Sequence, residues 1–441
     1  MKTAWLKGGG LILVPYDASL QPHPEANMSY RILSLDGGGV WALIEVKALI
    51  ALYGPKTQGH DVLKEFDLAA GNSGGSIVLG ALAANLTLEQ ILFLFEDERT
   101  RNDIFSLAGL RDVLLHDSAE VVAALVPEDS SLNLAGVVPK YSTKHKLAAL
   151  RRVLHSPDGE AIGDVPLPQV AARIPHHGPE PVHLLITAFD YDLNRALFFR
   201  SSEIKAPQWG RGQASPDVTL AEAIHASSTA PVSYFDEPAQ FPHRQGRYWD
   251  GAITGCNNPV LAAVTEAVGK NQDPTKVAVL SIGTATVALP RQESGKPSSP
   301  FVQPVLSSGI VPDLRKVATA IIDDPPDIAT FLAHVMTGCG RGVRLPADSR
   351  VVRMNPMIAP VRKAGRLSAP GSMTRKEFDF LKNLGLDAIK KPEVDAIASY
   401  ADLWLKGLAP NQPIRMNGKT FKAEVGQGKF SEAKGAWEAI R

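Results

Sequence analysis

A short apolar run, a cluster of glycines and a helical pattern follow one another twice within the first ninety residues, and no other feature of the chain constrains its fold as strongly. Residues 31–35 (RILSL) form a β-type run that stops at Asp36 and three glycines, Gly37, Gly38 and Gly39. A helical pattern follows, with Leu43, Val46, Ile50 and Tyr53 on one face. Residues 66–70 (FDLAA) are the second run, leading into Gly71-Asn72-Ser73-Gly74-Gly75 and a helix from Ile77 to Ala84. Thr87 with Gln90 gives a capping-box signal for a third helix. Strand, glycine turn and helix in alternation build a layered α/β fold with a mostly parallel sheet.

Later β-type runs lie at residues 183–189 (HLLITAF), 196–199 and 277–282 (VAVLSI), and helical patterns at 144–154, 261–268, 317–336 and 375–407. The Pro-, Ser- and Gly-rich stretch 290–304 predicts a mobile surface loop. Residues 1–27 show no period and read as a loose extension, with Met28 as an alternative start. One domain is expected over 28–407, with core motifs in 31–285 and a helical part in 305–407, followed by a weakly periodic tail over 408–441. There is no solenoid-type repeat.

Charge and cysteine content narrow the classes of function. Lys plus Arg and Asp plus Glu number 46 each, so the basic excess that usually accompanies nucleic-acid binding is missing. Cys256 and Cys339 cannot make a disulfide framework and lack metal-ligand spacing. They read as structural, buried thiols suited to a reducing compartment. No stretch reaches the roughly 18 apolar residues of a membrane span; the most apolar, 68–86, carries Asn72, Ser73 and Ser76. Residues 11–14, broken by Pro15, are too short for a secretory signal, so a cytoplasmic setting is expected.

Gly71-Asn72-Ser73-Gly74-Gly75 fits Gly-x-Ser-x-Gly, a sharp strand-to-helix turn. Gly71 and Gly75 let backbone pass close by, so the Ser73 hydroxyl projects near a helix N-terminus, where the dipole favours a developing oxyanion. An apolar strand before it and an Ala-, Leu- and Val-rich helix after it supply the context that a flexible Gly-Ser turn would lack. The amides of Gly37, Gly38 and Gly39 can form a concave donor set for an oxyanion or a phosphate, or simply a tight turn with Asp36 as a cap. Gly37-x-Gly39-x-x-Ala42 also fits a dinucleotide fingerprint, but the acidic residue that should end the next strand is replaced by Ala69-Ala70-Gly71. No Gly-x-x-x-x-Gly-Lys-Ser/Thr phosphate loop occurs.

A nucleophilic serine needs a base. His334, the one histidine after Asp250, sits in an apolar helical stretch, and His225 and His243 also read as structural. A carboxylate within hydrogen-bond reach can take the proton instead. Asp250, in Tyr248-Trp249-Asp250-Gly251-Ala252, is the candidate, although Asp-Gly by itself reads equally well as a turn.

In this order the pieces resemble the patatin-like phospholipases. The resemblance runs through residues 33–39 (LSLDGGG), 66–75 (FDLAAGNSGG), 226–231 (ASSTAP) with Tyr234-Phe235, 250–252 (DGA) with Asn257-Asn258-Pro259, and 280–284 (LSIGT). It is weaker over 286–407 and absent from both ends. It implies a three-layer α/β/α fold and hydrolysis of lipid acyl esters. Ser73 would be the nucleophile, Asp250 the base, and the Gly37, Gly38 and Gly39 amides the oxyanion hole, with no metal or organic cofactor. The chain departs from the family pattern at Trp41 and Ala42, where arginine and glycine are usual, and at Asn72 and Gly74, where threonines flank the serine.

The expected function is therefore phospholipase A- or esterase-type cleavage of a phospholipid or other acyl lipid, with peripheral membrane contact and no nucleic-acid partner. Two alternatives accompany it: a membrane-degrading effector of the same chemistry that needs an activator, and a non-catalytic lipid-binding protein on the same fold.

Overall fold

The computed structural model describes residues 2–5, 11–14, 29–104, 143–203, 214–231, 234–292, 299–304, 325–338, 349–386, 388–418, 420 and 422–441. Its centre is an eight-stranded mixed sheet. The strands are β1 (Tyr30–Leu35), β2 (Leu68–Gly71), β3 (His183–Asp190), β4 (Arg195–Arg200), β5 (Ala239–Phe241), β6 (Arg244–Asp250), β7 (Val277–Ile282) and β8 (Val351–Met354). In space they run β8-β7-β1-β2-β3-β6-β5, with β4 on the free flank of β3. The five strands from β8 to β3 are parallel, and β4, β5 and β6 are joined by antiparallel pairing. β3 is long enough to serve two neighbours: its first half pairs with β2 and its last three residues with β6.

The parallel strands read as unbroken apolar runs because both faces are covered. Side chains alternate between two separate cores. Leu33, Leu35, Ala69, Leu184 and Ile186 join one with helices α1 (Leu43–Tyr53), α2 (Ser73–Ala83) and, further along the chain, Leu220–Ser227. Ile32, Leu68, Ala70, Leu185 and Val279 join the other, with Val260–Gly269 and Pro325–Gly338. Helix, sheet and helix make the three layers of an α/β/α fold. Helix α3 (Leu88–Glu96) begins at the expected capping box, with the Thr87 amide 2.9 Å from Gln90 Oε1 and the Gln90 amide 3.3 Å from Thr87 Oγ1. Further along the chain come α4 (Thr143–Val153), α5 (Leu220–Ser227), α6 (Val260–Gly269) and α7 (Pro325–Gly338).

The pattern over 375–407 divides into α8 (Arg375–Lys382) and α9 (Lys391–Leu405). Pro392 opens α9, where its missing N–H breaks no helical bond, but it could not lie inside one continuous helix. Residues 317–324 of another helical pattern, 293–298 of the expected loop, and Cys339 lie outside the described residues. Cys256 is half-buried rather than fully enclosed.

At the ends the chain is more structured than its patterns suggest. Lys2–Trp5 pairs with Leu11–Val14 as an antiparallel hairpin. Beyond residue 408, a small hairpin joins Arg415–Met416 to Ala423–Val425, and α10 (Phe430–Ile440) closes the chain. Trp437 stacks on Phe66 with ring centroids 5.7 Å apart, and Phe430 makes a T-shaped pair with Trp404 at 4.7 Å. These contacts place the last helix in the principal core.

Candidate active site

The site sits at the C-terminal ends of β1, β2 and β6, where the glycine turns leave the sheet. β2 ends at Gly71, whose backbone lies against Ser76 so closely that an added Cβ would stand 2.9 Å from its Cα. Asn72 is still extended, and Ser73 then adopts φ +47° as the first residue of α2. A left-handed serine is strained, and it lifts the side chain out of the strand direction at the head of the helix. Its amide donates to Ser227 Oγ at 3.0 Å, and Ser76 Oγ donates to its carbonyl at 2.6 Å. Gly75 packs against β1: a Cβ there would lie 2.5 Å from the carbonyl oxygens of both Leu35 and Asp36.

Asp250 ends β6 and is almost wholly buried. Its Oδ1 accepts from Asn72 Nδ2 at 3.0 Å and from the Ala252 amide at 2.9 Å, and its own amide donates to Thr229 O at 2.8 Å. The Asp-Gly turn and the buried acid are thus one feature, since the bond to Ala252 also caps the short helical turn Gly251–Thr254. Burial pushes the Asp250 carboxyl above the usual carboxylate range; the Ala252 amide, the Ser73 side chain, Asn72 and the charge of Lys146 all pull the other way. Asn72, the departure before the serine, is a strut in this arrangement. Thr187 Oγ1 on β3 donates to Asn72 Oδ1 at 2.6 Å, fixing the amide so that its nitrogen faces Asp250.

The first glycine turn lies alongside. An added Cβ on Gly37 would stand 3.1 Å from Ser73 Cβ. The Gly37 amide is already used, donating to Asn257 O at 2.7 Å, while its carbonyl accepts from Thr284 Oγ1 at 2.7 Å. The amides of Gly38 and Gly39 have no acceptor among the described residues. Gly39 has φ +56°, and a Cβ there would meet the Leu386 carbonyl at 2.5 Å. The neighbouring Gly385 carbonyl accepts from Trp41 Nε1 at 2.9 Å, so Trp41 is a buried packing residue tied to the segment between α8 and α9.

Behind the turn, Arg353 of β8 makes a two-pronged pair with Asp36, at 2.9 and 2.6 Å, and also donates to Ser281 Oγ at 2.9 Å. Burial raises the Asp36 carboxyl to about 6 against the lowering effect of that guanidinium, and holds buried Glu45 on α1 well above its usual range.

A second buried cation was not singled out from the sequence. Lys146 on α4 donates to Ser228 O, lies 4.0 Å from the centroid of the Phe235 ring, and acts on Asp250 through its charge. A signal was there: Lys146, Ala149, Leu150 and Val153 follow the spacing of the helix's apolar stripe, so the lysine occupies a core-facing position.

No histidine among the described residues is hydrogen-bonded to Ser73 or Asp250. His225 is buried on α5, His334 Nδ1 pairs with Ser349 Oγ at 2.8 Å, and His243 Nε2 meets Asp217 O at 2.8 Å. Among the described residues, no three His, Cys, Asp or Glu side chains gather to hold a metal ion, and no helix is long and apolar enough to cross a membrane.

Residues 33–264, more than half of the chain, match the family described as Patatin-like phospholipase, and both glycine turns and Asp250 fall inside the match. The chain belongs to the patatin-like phospholipase family. This patatin-like chain is 27% identical over 266 residues to a cGAMP-activated phospholipase of Pseudomonas aeruginosa, covering 59% of the chain and 63% of that protein. It is 24% identical over 244 residues to an intracellular phospholipase A2 of Caenorhabditis elegans, covering 55% of the chain and 17% of that protein. It therefore spans less than two thirds of the length of either relative. A solved structure, VipD from Legionella pneumophila, is similar at 13% identity with a TM-score of 0.32, over 85% of this chain and 67% of that one.

Proposed function

We propose that the chain hydrolyses acyl esters of phospholipids or similar lipids through a Ser73–Asp250 dyad. The observation that carries this reading is the left-handed Ser73 at the head of α2, its side chain beside a buried aspartate that has no histidine partner among the described residues. Asp250 takes the Ser73 proton as Oγ attacks the ester carbonyl. The oxygen, now negative, is received by the Gly38 and Gly39 amides, while Gly37, whose amide is engaged, anchors the turn. As the C–O bond breaks, Asp250 returns the proton to the departing alcohol, leaving an acyl group on Ser73. Water, deprotonated by Asp250, then attacks the acyl carbonyl; the C–Oγ bond breaks, the fatty acid leaves, and the proton returns to Ser73. These steps consume one water and need no electron donor or acceptor. With no net charge to draw it to anionic lipid, contact with a membrane would be peripheral and rest on exposed apolar side chains.

A medium-chain p-nitrophenyl ester and mixed phospholipid vesicles, offered to wild type, Ser73→Ala and Asp250→Asn, test the dyad. Both variants should stay folded and lose activity by at least about 10³-fold. Retention of full activity by either would reject its assigned role.

A second reading keeps the chemistry and adds an activator. It is favoured by the relative named as cGAMP-activated and by the Gly385 and Leu386 backbone lying against Trp41 and Gly39. Vigorous hydrolysis by purified protein without additives would reject it.

A further inference from the structure

Nucleophile and base come from elements far apart in sequence, and one short segment ties them together. Ser227 Oγ accepts from the Ser73 amide at 3.0 Å, and Thr229 O accepts from the Asp250 amide at 2.8 Å. Between them, the Ser228 carbonyl accepts from Lys146 Nζ. The same helix grips the chain again a few residues later. The Thr143 amide and hydroxyl donate to Asp236 Oδ1 at 2.9 and 2.8 Å, and the hydroxyl also lies 2.7 Å from Glu237 O. Lys146 is fully buried, with the Phe235 ring as a wall. An ammonium in such a place is costly unless its partners repay it. A carbonyl, an aromatic face and an opposed carboxylate do so here.

We propose that Lys146 is a positioning residue for the Ser73–Asp250 pair: it holds residues 227–229 between nucleophile and base and sets a positive charge against the carboxylate that takes the serine proton. The inference rests on the dyad reading above. Among the described residues, two titratable groups face the ammonium. One is Asp250 at the end of β6, whose charge opposes the effect of burial; burial leaves Lys146 with a pKa of about 7. The other is His225 on α5, held down at about 3 by burial first and then by Lys146 and Arg151, so it stays neutral. Asp103 of the adjoining Glu98–Ile104 helix pairs instead with Arg152, at 3.2 Å on the exposed side. Among the described residues, Lys146 and Asp250 are therefore left to titrate against each other.

Lys146→Met keeps the apolar stem and removes the charge; Lys146→Arg keeps a charge on a larger head. In Lys146→Met, kcat should fall about 10- to 100-fold with KM little changed, the loss expected when a charged hydrogen bond is removed. Phosphonate labelling of Ser73 should slow in parallel. The acid limb of kcat/KM should move up by about one pH unit or more, because the cation that favours ionised Asp250 is gone. Lys146→Arg should restore the acid limb toward wild type, which a purely space-filling role would not do. Wild-type kcat with an unmoved acid limb in Lys146→Met overturns the inference while leaving the dyad intact. An active Ser73→Ala protein sinks the dyad and the inference with it. Should Lys146→Met fail to fold, the lysine ¹⁵Nζ resonance can be titrated in the wild-type protein and in Asp250→Asn. Its midpoint should drop further when the aspartate charge is removed, and an unchanged midpoint refutes the coupling.

Discussion

Gly75→Ala separates close approach from helix propensity as the reason for glycine in the second turn. Alanine at this position of α2 would stabilise an isolated helix by up to about 1 kcal/mol. In the folded protein its Cβ would stand 2.5 Å from two carbonyl oxygens, those of Leu35 and Asp36. Both belong to backbone at the end of β1 and cannot rotate away. The start of α2 must retreat by roughly half an ångström to reach even the tightest tolerated contact, and more to relax fully. The Gly75 amide, 3.0 Å from Asp36 O, lies in the path of that movement, and weakening its bond costs about 1 kcal/mol. Overpacking adds about 1–3 kcal/mol. The net expectation is a loss of about 1–3 kcal/mol in urea unfolding. Activity should fall about 10²-fold, because Ser73 moves away from the Gly38 and Gly39 amides. Unchanged stability together with wild-type ester hydrolysis would refute the close-approach argument.

Other outcomes follow from buried groups. The kcat/KM profile should rise with pH through a midpoint above the ordinary carboxylate range, since Asp250 must be ionised to accept a proton and burial raises its pKa; a profile flat down to about pH 4 would count against Asp250 as base. Trp437→Ala should cost about 3–5 kcal/mol in denaturant unfolding, as it removes a fully buried ring stacked on Phe66; a loss below about 1 kcal/mol would mean that α10 is not part of the core. Arg353→Met should cost about 3–5 kcal/mol by leaving Asp36 buried without its guanidinium. The added variant Asp36→Asn should recover part of that loss, and two independent, additive losses would reject the pairing.

Much of the parallel half of the sheet could be read from sequence, because strands buried on both faces announce themselves as apolar runs. Residues 277–282 form β7 with the expected bounds, and the turn after β2 opens α2 at Ser73. The antiparallel strand β6 gave no such signal. Its residues Arg244, Gln245 and Arg247 are polar, and all four positions from Arg244 to Arg247 are partly or fully open to solvent because β6 borders the short edge strand β5. The final helix was hidden for a different reason. Phe430, Ala433 and Trp437 make one short stripe, too few points for a period, and what fixes them is ring contact, T-shaped with Trp404 and stacked on Phe66, from other parts of the chain. In the site, serine, aspartate and glycines stood out by residue type and spacing. Asn72 and Lys146 did not, because their parts depend on which atoms they meet: Thr187 and Asp250 for one, Ser228 and Phe235 for the other.

The weakly matching C-terminal third bears directly on the glycine turn. At the position where the family usually carries arginine the chain has Trp41, whose indole nitrogen reaches the Gly385 carbonyl rather than an anion. The guanidinium beside this turn comes instead from Arg353, which grips Asp36 with both terminal nitrogens. Asp36 stands immediately before Gly37, and its carbonyl receives the Gly75 amide, so one residue couples the two turns. A pull on β8 is therefore transmitted through Arg353 and Asp36 to the Gly37 turn and to the backbone just after Ser73. The Leu386 carbonyl, against which Gly39 has no room for a side chain, adds a second point of contact from the same third of the chain. Sequence outside residues 33–264 thus shapes the turn that would receive the oxyanion, and substitutions there can alter catalysis without touching the dyad.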